Sequence, residues 1–116
     1  MKLGDIAREL RLTCLTPGVD HADQEVAAGY VSDLLSDVLA NGPAGGVLVT
    51  VQVHLNVVAV VVHAEMTAVL FAHGRQPDEA VRAKAIEEGV ALYASEDSAF
   101  EIVGRLHALG LRGPAV

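Results

Sequence analysis

The sequence predicts an α/β domain with a mostly parallel sheet covered by helices. Three observations carry that expectation. Short runs rich in valine and leucine alternate with segments whose apolar residues recur at helical spacing. Turn and capping residues fall between them. The 116 residues are 52% hydrophobic but only 3% aromatic, without tryptophan, so the core must be packed from Val, Leu, Ala and Ile. Strands buried on both faces read as such aliphatic runs. One domain accounts for residues 1–116, a length able to bury a real core.

Leu3, Ile6, Ala7 and Leu10 form the first helical stripe, with Asp5 placed to favour the helix dipole. Leu12–Leu15 reads as a short strand, and the turn-rich segment 16–23 leads to a second at Glu25–Gly29. In the next helix Ser32 is a candidate cap and Asp33 lies in the first turn. Val31, Leu34, Leu35, Val38 and Leu39 make its apolar stripe. Asn41 or Gly42 can supply a left-handed ending before Pro43. The strand Val47–Val53 follows.

Residues 57–64 are ambiguous. Five valines favour a strand, but joined to the preceding run they would far exceed the usual length of ~5–6 residues. A helix capped by Asn56 resolves this and supplies the crossover needed before the strand Val69–Ala72. His73–Gln76 is then a turn, and Pro77 suits a first helical position. Asp78 and Glu79 favour the start of a helix running to Glu88 and ended by Gly89. Val90–Tyr93 is the last strand. Ser98 and Glu101 have capping-box spacing ahead of a helix with Ile102, Val103, Leu106 and Leu109 inward, closed by Gly110. Residues 111–116 are expected to form a flexible tail.

Thr50, Gln52, His54 and Asn56 occupy alternate positions and on one continuous strand would share a face. Such a ladder is either a solvated strand face ending in a helix cap or a set of groups held for a ligand. Ligands of open α/β sheets bind beyond the carboxyl ends of the strands, where helix N-termini favour anions. The loops around 52–56, 73–76 and 94–97 would all reach that edge. Candidate ligand-binding residues are therefore Gln52, His54, Asn56, His73, Gly74 and Arg75, with Ser95 beside them, and the expected ligand carries phosphate. Giving Asn56 to the helix cap and Thr50 to sheet packing narrows the ladder to Gln52 and His54.

Composition excludes several classes. A net charge of −7, from 15 acidic against 8 basic residues, opposes binding to nucleic acid. No basic amphipathic helix is visible, and the longest apolar stretch, Val57–Val62, is too short to span a bilayer, so no membrane partner is expected. The N-terminus carries no apolar secretory core, which points to the cytoplasm. The single cysteine, Cys14, excludes an internal disulfide and is expected as a small buried hydrophobe. Five histidines lack the spacing of metal ligands, so no metal site is expected. Asp33 and Asp37, one helical turn apart, read as a solvated helix face. There is no phosphate loop, dinucleotide fingerprint or nucleophile elbow, and the glycine-rich 42–46 precedes a strand instead of opening a helix. No catalytic residue is assigned.

Three blocks, Gly29-Tyr-Val-Ser-Asp-Leu-Leu-Ser-Asp-Val-Leu-Ala40, Gly45-Gly-Val-Leu-Val-Thr-Val-Gln52 and Ala68-Val-Leu-Phe-Ala-His-Gly-Arg-Gln-Pro-Asp78, together resemble a DRTGG domain. This module occurs at the N-terminus of HPr kinase/phosphorylase, inside some phosphotransacetylases and in certain regulatory inorganic pyrophosphatases. The resemblance runs from about residue 1 to residue 110. The family's usual Thr-Gly-Gly is here Ala72-His73-Gly74, keeping only the second glycine. The resemblance implies a three-layer α/β/α module, similar to the HPr-kinase N-terminal domain, without catalytic residues. It implies a homodimer that senses a small ligand, an adenine nucleotide in the pyrophosphatases, and controls a separate protein partner. The alternative is a protein that binds a nucleotide or phosphorylated metabolite as accessory to a phosphotransfer or metabolic enzyme.

Overall fold

The computed structural model describes residues 1–115. Its elements are α1 (Leu3–Glu9), β1 (Thr13–Cys14), β2 (Gly29–Val31), α2 (Leu35–Asn41), β3 (Val47–Thr50), α3 (Asn56–His63), β4 (Ala68–Phe71), α4 (Glu79–Glu88), β5 (Ala91–Ala94) and α5 (Ala99–Ala108). The sheet order is β1-β5-β4-β3-β2. Strands β2 to β5 are parallel, and β1 closes one edge antiparallel to β5.

Alternation along the strands divides the core in two. Val47, Val49, Ala68, Leu70, Ala91 and Tyr93 face Leu3 and Ile6 of α1 and Ile102 and Leu106 of α5. Leu48, Val69, Phe71, Leu92 and Ala94 face Val38 of α2, Val57, Val58 and Val61 of α3, and Val81 and Ala85 of α4. The result is the three-layer α/β/α arrangement. Each fully buried Val, Leu, Ile or Phe contributes roughly 1.5–3 kcal/mol, which is why an aliphatic composition suffices.

From β2 to β5 the chain steps one strand at a time in a single direction. Right-handed crossovers then place α2, α3 and α4 on the same face. The strand order never reverses between parallel neighbours. The crevice that such a reversal opens in doubly wound sheets is therefore absent here.

The valine-rich 57–64 segment is a helix, as the crossover argument requires. Gly89 ends α4 at φ 74, and Ser98 caps α5 by accepting the Glu101 N–H at 3.2 Å. Pro77 lies one residue ahead of the cap Asp78, which accepts the Val81 N–H at 3.1 Å.

Several expectations are corrected. β2 begins at Gly29 where a strand was expected to end, because the amides of Val26 and Ala27 donate to Met1 and Gly45 and not to a neighbouring strand. Helix α2 starts only at Leu35, and Ser32 spends its hydroxyl on the Leu34 N–H two residues on. That later start leaves Val31, Leu34 and Leu39 exposed, with Val38 the one fully buried member of their stripe. Gly42 follows α2 in an extended conformation, φ −61, not a left-handed one. Asn56 is the first residue of α3 and makes no side-chain cap. Cys14 is exposed, since β1 is two residues long on an uncovered edge. Val103 faces solvent while Ile102 and Leu106 point inward. The tail begins packed: Leu111 is buried and the Arg112 carbonyl accepts the Gly29 N–H at 2.9 Å. No helix among the described residues is long and apolar enough to cross a membrane.

Candidate functional site

Strand β3 stops at Thr50 because the next amides find partners outside the sheet. Asp33 Oδ1 accepts both the Thr50 hydroxyl at 2.8 Å and the Val51 N–H at 2.9 Å. The chain then leaves extended geometry, and the polar ladder takes another form. Thr50 Oγ1 accepts the Gln52 N–H at 3.0 Å, Gln52 Oε1 accepts the His54 N–H at 3.2 Å, and His54 Nδ1 accepts the Asn56 N–H at 3.0 Å. Each ladder residue binds the backbone of the next. These are the local side-chain turns that polar residues form with the amide two positions on. The alternate spacing is thus the signature of a self-bonded loop, not of one strand face. It also fixes the His54 tautomer: a ring nitrogen that accepts carries no proton, so Nε2 is the donor left for another molecule.

Gln52 and His54, with Val53 and Leu55, line a cavity of about 430 Å³ against the first turn of α4 at Asp78, Ala80 and Val81. The other half of the expected rim lies elsewhere. His73 and Gly74, φ 60 and 65, are the two left-handed residues of a tight turn closed by the Arg75 N–H on the Ala72 carbonyl at 3.1 Å. The His73 N–H donates to Asp97 at 2.8 Å and the Gly74 N–H to Ser95 at 2.7 Å. A Cβ at Gly74 would come 2.6 Å from Glu96 Oε2, so the Glu96 side chain would have to move, and the positive φ favours glycine there. The structure therefore joins Gln52 and His54 with the start of α4, and joins His73 and Gly74 with Ser95–Asp97. Asn56 and Arg75 are exposed, and neither lines the cavity.

Asp33 and Asp37, expected on a solvated face, each hold specific partners. Asp37 accepts the Tyr30 hydroxyl at 2.8 Å and the Asn41 amide at 2.9 Å. The Ser32 hydroxyl first, then Asn41 and Tyr30, hold its carboxyl below the usual range. The same bond to Asp37, with partial burial and the carboxylate's charge, raises the Tyr30 phenol.

A second surface was not foreseen. Helix α5 carries two stripes: Ile102 and Leu106 are buried, while Phe100, Val103, Gly104 and His107 run along the outside beside Val31 of β2. Phe100 is 85% exposed and Val31 52%. The i, i+3, i+4, i+7 spacing of that second stripe is present in the sequence, where the inward stripe alone already accounts for an amphipathic helix.

No known family profile matches the chain, and no curated protein sequence matches it. Among solved structures it is similar to the CBS and DRTGG domains of the regulatory region of Clostridium perfringens pyrophosphatase, complexed with the activator diadenosine tetraphosphate. The TM-score is 0.75 at 12% identity, over 96% of this chain. The fold is DRTGG-like. The DRTGG-like chain spans about half of that relative, covering 47% of its length.

Proposed function

We propose that this DRTGG-like domain is a regulatory interaction module, which self-associates, senses a small ligand and controls a separate protein. The observation that carries the reading is the match of the whole fold to the regulatory region of a pyrophosphatase. The exposed apolar stripe on α5 and β2 supports the self-association, since such patches mark interaction surfaces. Sedimentation over a wide concentration range tests it: a reversible dimer is expected, and a strict monomer would overturn the self-association.

A second reading is favoured by the cavity at Gln52 and His54. Under it the chain binds a nucleotide or phosphorylated metabolite, accessory to a phosphotransfer or metabolic enzyme. His54 Nε2–H and the Gln52 amide group support an acceptor-bearing ligand there. Thermal-shift measurement with adenine mono-, di- and triphosphates and diadenosine tetraphosphate is the test. His54→Asn is the control, because Asn can still accept the Asn56 N–H while lacking the Nε2 donor. Stabilisation that disappears in His54→Asn supports the reading, and none by any of these nucleotides at millimolar concentration counts against it.

A further inference from the structure

We propose that α5 is the two-fold contact between two copies of this chain, crossing its antiparallel partner at Gly104. In that contact Phe100 of each copy fills the other's cavity between α5 and β2. The inference rests on the self-association proposed above and names its surface.

Among the described residues both halves of a matching pair are present and neither is used internally. Phe100 is the knob, with most of its ring in solvent. The hole is a cavity of about 320 Å³ near the other end of the helix, lined by the buried Val49, Leu106 and Leu111 and bordered by Val31, Val103 and His107. Phe100 and His107 are two helical turns apart, roughly 10.5 Å at 1.5 Å per residue. Their midpoint falls between Val103 and Gly104. An antiparallel α5 pair centred there brings each Phe100 level with the partner's His107, at the mouth of the hole. One rotation satisfies both copies, which is the geometry of an isologous dimer.

Gly104 supplies an independent observation. A glycine inside a helix weakens it and normally answers a local need. Among the described residues none exists: a Cβ at Gly104 would meet nothing within 4 Å, and its φ is not left-handed. Across a helix pair the missing side chain lets two backbones approach closely. Charge points the same way. Glu101 lies in the first turn of α5 and His107 in its last, so antiparallel pairing sets Glu101 beside the partner's His107 and opposes the two helix dipoles. Arg105 is held on its own chain by Asp97 at 2.8 Å and does not compete.

Sedimentation equilibrium of the full chain, with thermal melting of each variant, is the test. Phe100→Ser is expected to weaken the dimer more than about tenfold, as loss of a central aromatic anchor does. Gly104→Ala is expected to raise the monomer's melting temperature while weakening association, opposite signs that a purely structural role cannot give. Glu101→Lys is expected to weaken the dimer, and adding His107→Glu to restore it. A dimer unchanged by Phe100→Ser and by Gly104→Ala would overturn the α5 contact and leave self-association standing. A parent chain monomeric at every concentration would overturn both. Open-ended polymers abolished by Phe100→Ser would overturn the two-fold closure.

Discussion

Replacing Thr50 by valine tests how the end of β3 is held. The substitution keeps the shape of a fully buried side chain and removes only its hydroxyl. Two bonds go: the one donated to Asp33 at 2.8 Å and the one accepted from the Gln52 N–H at 3.0 Å. The first is charge-assisted but its acceptor is exposed and regains water, so it sits near the lower end of about 1.5–3 kcal/mol. The second is an ordinary bond worth about 1 kcal/mol, partly recovered because Gln52 is only half-buried. Thr50→Val should therefore cost about 2 kcal/mol. An unfolding entropy of about 2.1 cal/mol/K per residue over this chain gives about 4 °C per kcal/mol, hence a loss of roughly 8 °C in Tm. Urea unfolding and thermal melting read the stability, and amide hydrogen exchange reads the loop. Exchange should quicken at Gln52, His54 and Asn56 in that order of effect. A Thr50→Val protein within about 0.5 kcal/mol of its parent, the range of an ordinary surface change, would refute the linked-loop account.

His54→Ala removes the acceptor at the start of α3 and should cost about 1 kcal/mol, as loss of a helix cap does, measured by urea unfolding. His73→Gly should stabilise by up to about 1 kcal/mol, since a left-handed non-glycine residue costs about 1–2 kcal/mol and the added chain entropy offsets part of the gain. An unchanged Tm would show that the turn bears no strain. The Tyr30–Asp37 pair should shape the pH profile. The lowered carboxyl of Asp37 contributes stability above its unfolded range that is lost as pH falls through the folded value. The raised phenol of Tyr30 contributes stability below its unfolded range that is lost as pH rises through the folded value. The destabilisation caused by Asp37→Ala should therefore be greatest near neutrality and shrink at both extremes; a pH-independent difference in denaturation would count against this.

The large-scale order of the chain was legible from residues with one physical role each. Val57–Val62 had to be a crossover because a parallel neighbour at β4 demands one, and Asp78, Gly89 and Ser98 do the local jobs their chemistry suits. What misled was polarity with two uses. The spacing of Thr50, Gln52, His54 and Asn56 fits a strand face and equally a run of side-chain turns, and only the Asp33 carboxylate, 17 residues before Thr50, decides between them. Cys14 was expected inside by composition, but exposure depends on strand order, which a parallel run of valines does not encode. The candidate rim divided for a similar reason. Each loop at this edge meets the one beside it, the loop after β3 against the start of α4 and the turn after β4 against Ser95–Asp97, and which neighbours meet is a property of the whole topology.

The bond from Gly29 to the Arg112 carbonyl bears on how this protein behaves at high concentration. Were the tail to continue in parallel along β2, its next donor to the Gly29 carbonyl would be residue 114. Pro114 has no N–H to give. At the opposite border β1 offers two residues, too short a template to recruit a neighbour. Both borders are therefore short templates for strand addition: β2 has three residues, the first already bonded to the tail, and β1 has two. The sheet thus offers little edge for irreversible pairing beside the helix surface proposed above for reversible contact.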